Sequence, residues 1–230
     1  MKTIGLAGGM TPESTKVYYE SLIQGARQPG GNPLRNPEIL IYSLDLAELV
    51  QIQRGGERRE VVEYLAGILE RLRLAGAEVG ALTANTPHAY LDEIRTMTSL
   101  PMVSIVTATR DAAADRGLER ALLLGTRTTI EAEMFPRECG DAGIRVVLPG
   151  DDDREFLDHT IYNDLALGHV KPEVRQRYHD ICARHIEKDG IDSVILGCTE
   201  LPLVISDDDL SIQVLDTTKT HVAAILTAAS

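Results

Sequence analysis

The feature that most limits how this chain can fold is an alternation: short apolar runs, each followed by a longer stretch of helical periodicity. In the first half the runs fall at 4–7, 39–42, 79–82 and 102–106. In the second they fall at 121–124, 145–148, 193–196 and 212–215. A short run of continuous apolar character fits a strand buried on both faces, and intervening helices return the chain for parallel pairing. The helices are explicit. Val61, Leu65, Ile68, Leu69 and Leu72 recur at helical spacing ahead of Gly76, a stop signal. Later, Pro172 stands near a helix start, and that helix runs towards Gly190.

The two halves correspond. Setting Gly76 on Gly190, an offset of 114, places Leu82 over Leu196, Ala84 over Cys198 and Asn85 over Thr199. The segments ALTANTPH and ILGCTELP therefore close equivalent strands, one with a methyl group where the other has a thiol. Residues 100–103 lie over 210–213 at an offset of 110, and Gly8 lies over Gly125 at 117, with Thr11 over Thr128. Three matches in one order fit duplication of a four-strand unit. The fold class expected is α/β, with two pseudo-symmetric four-stranded parallel-sheet domains. Because α/β folds bind ligands at strand carboxyl ends, the turns are expected to line an active-site cleft between those domains.

Composition excludes several partners. The 230 residues, 43% apolar and 25% charged, are those of an ordinary globular protein. A net charge of −12 without any Lys/Arg run gives no footprint for nucleic acid and none for an anionic membrane surface. No apolar stretch approaches the roughly 20 residues that span a bilayer. The amino end reads as a first strand, not a signal peptide. Three cysteines without framework spacing point to a reducing cytoplasm. The absence of CxxC and HExxH patterns predicts no metal site.

Several turns carry chemistry. In GLAGGMTPEST, Thr11 is placed to cap a helix with Pro12 at its first position, and the exposed amides suit a carboxylate or phosphate. The segment is not GxGxxG and lacks a phosphate-loop lysine, so nucleotide binding is not expected. LLLGTRTTI is the counterpart turn, with Thr126, Thr128 and Thr129 as hydroxyl donors. Capping without any ligand is the competing reading of both. Cys198 sits at a strand end where a following helix would lower its pKa below the ordinary value of about 8.5, making it a base or nucleophile. Cys182 reads as core packing and Cys139 as a surface residue. His88 and His221 are either proton carriers near neutral pH or structural hydrogen-bonding groups. Lys171, one of five lysines, stands in a connecting loop, placed either to meet an anionic substrate or merely to decorate the surface. No lysine on a rigid wall beside a phosphate cup invites pyridoxal chemistry.

Taken together, GGMTPEST, ANTPH, LLGTRTT, LGCTELP and DTTKTH, in that order and across essentially the whole chain, resemble the aspartate/glutamate racemase superfamily. The resemblance implies a cofactor-independent racemase or epimerase of a small acidic amino acid, and a homodimer. It also implies a first domain of residues 1–98 plus 207–230 and a second of 99–206. Members of that superfamily move the α-proton between two facing cysteines. By resemblance Cys198 is the second of these, Lys171 binds a carboxylate, and Asn85, Thr86 and Thr199 flank the catalytic pair. Met10, Thr11, Gln53, Thr126, Thr129 and Glu200 complete the substrate positions, with Gln53 in the loop after the second strand. The first catalytic position departs from the pattern, because it is Ala84, and a methyl group transfers no proton. Thr83, His88 or an ordered water is left for the other face of the substrate. Thr83 points away from its neighbour, since successive strand residues face opposite ways. Two alternatives follow from Ala84: a single-cysteine lyase or isomerase of the arylmalonate-decarboxylase kind, and a catalytically impaired carboxylate-binding homologue.

Overall fold

The structure, a computed structural model, describes residues 1–27, 32 and 34–230. It divides into two compact units: Met1–Ser104 with His221–Ser230 (unit 1), and Ile105–Thr220 (unit 2). Among the described residues, no helix is long and apolar enough to cross a membrane.

Unit 1 is built on three parallel strands, β1 (Ile4–Gly8), β2 (Ile39–Ser43) and β3 (Val79–Leu82), in the order β2-β1-β3. Every residue of β1 and β3 is buried. Strand side chains alternate between faces, so one sheet is covered twice. Ala7 and Leu82 face the helix Arg58–Leu74, whose Val61, Leu65, Ile68, Leu69 and Leu72 are all buried as their spacing requires. Ile4, Leu6, Val79 and Ala81 face the other way, onto Tyr18 and Leu22 of the helix Pro12–Gly25 and onto Val222 and Ile225 near the carboxyl end.

The expected fourth strand is reduced to a bridge. Gly80 pairs with Met102 through two hydrogen bonds, Gly80 N to the Pro101 carbonyl (2.8 Å) and Val103 N to the Gly80 carbonyl (3.0 Å). Pro101 has no amide to extend the ladder, and the alanine-rich helix Ile105–Asp115 claims the rest of the run.

Unit 2 repeats the plan with β4 (Arg120–Leu124), β5 (Arg145–Val147), β6 (Ser193–Leu196) and β7 (Gln213–Asp216), all parallel in the order β5-β4-β6-β7. β4 and β6 thus take the places of β1 and β3, as the duplicated motifs required. β7 is laddered to β6, with Leu196 opposite Asp216, so the chain leaves unit 2 after this strand and not at residue 207. Cys139 is a second correction. It is fully buried, because Phe135 and Cys139 lie one turn apart on the inner face of the helix Met134–Asp141.

Candidate active site

In unit 1, β1 delivers the chain to Gly9, whose φ of +89° lies in the left-handed region. A Cβ there would stand 2.5 Å from the Leu44 carbonyl oxygen, so the turn admits only glycine. Gly9→Ala is expected to lower the unfolding free energy by about 2–3 kcal/mol, read from urea titration; an unchanged midpoint would show that the turn opens without cost.

The turn hands over to Thr11, whose hydroxyl accepts from Ser14 N at 3.2 Å and caps the helix Pro12–Gly25. Thr15 Oγ1 accepts from Gly9 N (2.8 Å) and donates to the Thr11 carbonyl (3.0 Å). Thr83 Oγ1 lies 3.3 Å from Thr15 Oγ1 and donates to the Ala7 carbonyl at 3.5 Å. Ser14 Oγ in turn donates to the Thr83 carbonyl at 2.5 Å. Thr83 is fully buried. Its hydroxyl knits β1, β3 and the first helix together. Met10 packs against the core of the same unit.

After β3 the chain enters a 3-10 turn, Thr86–Tyr90, with Ala84 and Thr86 partly exposed and Asn85 and His88 buried. His88 Nδ1 meets the Ala84 carbonyl at 2.8 Å, which assigns that nitrogen as the protonated one. Burial holds the His88 ring down to a pKa of about 4, so it is neutral at pH 7. His221 stands edge-on to it, with ring centroids 5.5 Å apart. His221 accepts from Tyr18 Oη at Nδ1 (2.8 Å) and donates from Nε2 to the Val103 carbonyl (3.1 Å). Burial, with His88 second, lowers its pKa to about 3. Neither ring is charged near neutrality. Gln53 lies on an exposed position of the helix Leu46–Gly55, not in a loop: Asp45 caps Ala47 N at 2.9 Å and starts the helix early.

In unit 2, Thr126 caps the short helix Arg127–Glu131 by accepting from Thr129 N (3.3 Å), and the two side-chain hydroxyls meet at 3.1 Å. Both residues are buried. Tyr162 lines a hollow with Arg127 and Asp158, its hydroxyl near Thr126. Withdrawal of that hydroxyl from water raises its pKa, with the charges of Asp158, Cys198 and Glu200 adding to the effect.

β6 is buried throughout and continues one residue further, since Gly197 N donates to the Leu124 carbonyl at 2.7 Å. A Cβ at Gly197 would lie 2.9 Å from that oxygen, so glycine is needed where the chain leaves the sheet. Cys198, half-buried, follows. Its Sγ–H donates to Glu200 Oε2 at 2.9 Å, and Thr199 Oγ1 donates to the same oxygen at 2.8 Å. Here the structure overturns an expectation: the thiol pKa is not lowered but raised well above its ordinary value. Burial is the main cause, and the Glu200 carboxylate, repelling a thiolate while accepting the S–H, is the next. The helix that was to lower it is a three-residue 3-10 turn, Leu201–Leu203, too short to gather a dipole.

Lys171 directly precedes Pro172, the first residue of the helix Pro172–Asp189. Its Nζ lies 2.6 Å from Asp164 Oδ1. Sequence reasoning missed Asp164 and Tyr162. Both sit at the end of the helix Asp151–Asn163, where the apolar spacing marks only Leu157 and Ile161. Within unit 2 the structure gathers Cys198, Thr199 and Glu200 into one hydrogen-bonded set and sets Tyr162 against Thr126. Within unit 1 it gathers Thr11 and Thr83 into one network and His88 and Ala84 into another.

A profile of the Asp/Glu/Hydantoin racemase family matches residues 8–225. Over 219 residues the chain is 25% identical to the broad specificity amino-acid racemase RacX of Bacillus subtilis (strain 168), covering 93% of this chain and 92% of that protein. It superimposes on an aspartate racemase homologue from Pyrococcus horikoshii OT3 with a TM-score of 0.89 and 37% identity, covering 100% of this chain and 99% of that one. The aspartate racemase of Picrophilus torridus shares the fold, with a TM-score of 0.79 at 21% identity over 100% of this chain and 94% of the other.

Proposed function

Because this chain belongs to the Asp/Glu/Hydantoin racemase family, a family of isomerases, we propose that it is a cofactor-independent amino-acid racemase or epimerase whose α-proton transfer runs through Cys198. The observation that carries this reading is the bond from Cys198 Sγ to the Glu200 carboxylate. A thiol with a raised pKa is a poor base by itself, and a carboxylate within hydrogen-bond reach is the group that takes its proton. The Sγ–H proton passes to Glu200 Oε2, the thiolate so formed removes the substrate α-proton, and the electron pair is left on the α-carbon beside its carboxylate. Thr199 supports the step by donating to Glu200.

Inversion requires a proton from a second group. Thr83 is fully enclosed and His88 is a buried neutral ring, so neither is offered as a ready acid. A water beside the Ala84 methyl group serves the second face in this reading. The small acidic amino acid implied by the sequence resemblance is one substrate, and the name of RacX supports a wider range.

The enclosed Thr83 also favours a second reading, an enzyme that protonates from one face only, as a single-cysteine lyase or isomerase does. Incubation with an amino-acid panel in heavy water separates the two. α-Deuterium with inverted configuration is expected. Deuterium with full retention supports the one-sided enzyme, and no exchange with any amino acid overturns the racemase.

A further inference from the structure

The charges of unit 2 bear on which side chain the substrate carries, a question that rests on the racemase reading above. Among the positions expected to touch substrate, Lys171 supplies the one positive charge and Glu200 the one negative. Lys171, by resemblance the carboxylate-binding lysine, is taken in this proposal to be the group that meets a side-chain carboxylate. It is already engaged, since its ammonium sits 2.6 Å from Asp164 Oδ1, with the Asp164 side chain 10% exposed and that of Lys171 53% exposed.

Asp164 is anchored on both sides of its peptide. Its amide donates to the Thr160 carbonyl (3.0 Å), and its own carbonyl accepts from Leu167 N (3.1 Å) and His169 N (2.9 Å). The carboxylate is therefore fixed at the end of the helix Asp151–Asn163. The ammonium belongs to the residue just before the next helix, so the pair ties the two ends of the 164–171 loop together. Leu167, within this loop, is 64% exposed.

Arg127 is paired with Glu131 at 3.3 Å, and its backbone amide is bonded to Asp158 at 2.8 Å. A substrate with a side-chain carboxylate competes with Asp164 for the Lys171 ammonium, and whatever it draws away weakens the pairing of a largely buried carboxylate. A substrate with a neutral side chain leaves the pair intact.

We propose that Asp164 is a positioning residue that determines specificity: by holding Lys171 it makes this enzyme favour α-amino acids with neutral side chains over aspartate and glutamate. Specificity of this kind is a difference between two affinities, set as much by what the wrong ligand must break as by what the right one gains.

The test compares near-isosteres that differ in charge: asparagine with aspartate, and glutamine with glutamate. The wild-type protein is expected to show the higher kcat/KM for the amides. Asp164→Asn is expected to move both ratios towards the acids by about tenfold, since it frees the ammonium, and Asp164→Glu to restore them. Adding Lys171→Met to Asp164→Asn is expected to abolish that gain. A merely structural role for Asp164 would change all four substrates alike, and that result overturns the proposal, as does a wild-type preference for the acids. Calorimetric affinities for the same pairs give the same ordering without turnover. A chain that binds but never exchanges the α-proton thus refutes the racemase reading alone. The wild-type preference needs no variant, so misfolding of Asp164→Asn leaves the proposal open to refutation.

Discussion

Glu200→Gln is expected to slow α-proton exchange by about a hundredfold or more at pH 7 while making Cys198 easier to alkylate. The two effects have opposite signs because the carboxylate acts on the thiol in two ways. It repels a thiolate and accepts the S–H, both of which raise the thiol pKa. Replacing it by an amide removes the repulsion, so at any given pH a larger fraction of the sulfur is ionised and iodoacetamide reacts faster. The same replacement removes the acceptor through which the thiol reaches its reactive form.

The pH profile separates these routes. Transfer of the thiol proton to Glu200 leaves the total number of bound protons unchanged, so this route is flat across neutral pH. Loss of the proton to solvent rises about tenfold per pH unit below the thiol pKa. The wild-type rate is therefore expected to be nearly level across neutral pH, and that of Glu200→Gln to climb with pH. Exchange kinetics in heavy water and alkylation rates followed by mass spectrometry measure the two effects. Equal slopes in wild type and variant would remove Glu200 from the proton path. A parallel fall in exchange and alkylation would reduce it to a structural role.

Every strand of the two sheets overlaps an apolar run that is visible in the sequence, most plainly β1, β3 and β6, which are buried throughout and hold no charged residue. What the runs could not convey was where a ladder stops. The 102–106 run is apolar except at Ser104, yet its pairing is a single bridge at Met102, because Pro101 offers no amide before it and the helix Ile105–Asp115 takes the residues after it. The crossing after Thr220 was hidden because the 213–216 strand pairs with β6, the strand just before it in the chain, so that only residues 221–230 belong to unit 1.

The site was legible in its residue types and illegible in their partners. Cys198 and Glu200 are two residues apart, but only the 3-10 geometry of the turn brings the carboxylate back onto the sulfur, which reversed the expected direction of the thiol pKa. Lys171 announces a cation, whereas Asp164 neutralises it from the far end of a loop. The same limit applies to Cys139, whose charged neighbours in the sequence disguise one buried face of a short helix.

Acid is expected to unfold this protein through His88 and His221, with an effect comparable to the whole stability of an ordinary domain. Both rings are buried and neutral, with pKa values of about 4 and about 3, against an ordinary value of about 6.5 in the unfolded chain. A depressed histidine pKa means that the unfolded state binds the proton first. The stability is therefore complete above pH 6.5, declines as the pH falls, and is fully lost only below the folded pKa values. At ~1.4 kcal/mol per pKa unit, the contributions are about 3 kcal/mol for His88 and about 5 kcal/mol for His221, against typical stabilities of about 5–15 kcal/mol. The rings are 5.5 Å apart, so a proton on one opposes a proton on the other and keeps both neutral to lower pH. His221→Gln isolates the effect. Its amide can donate to the Val103 carbonyl and accept from Tyr18 as the ring does, but it does not titrate in this range. Urea midpoints between pH 7.5 and 4 should fall steeply for the wild type and about half as steeply for the variant, since one of the two proton uptakes is gone. An acid slope that is the same in both would mean that this ring takes its proton without unfolding, and that the buried histidine pair does not set the acid limit of the fold.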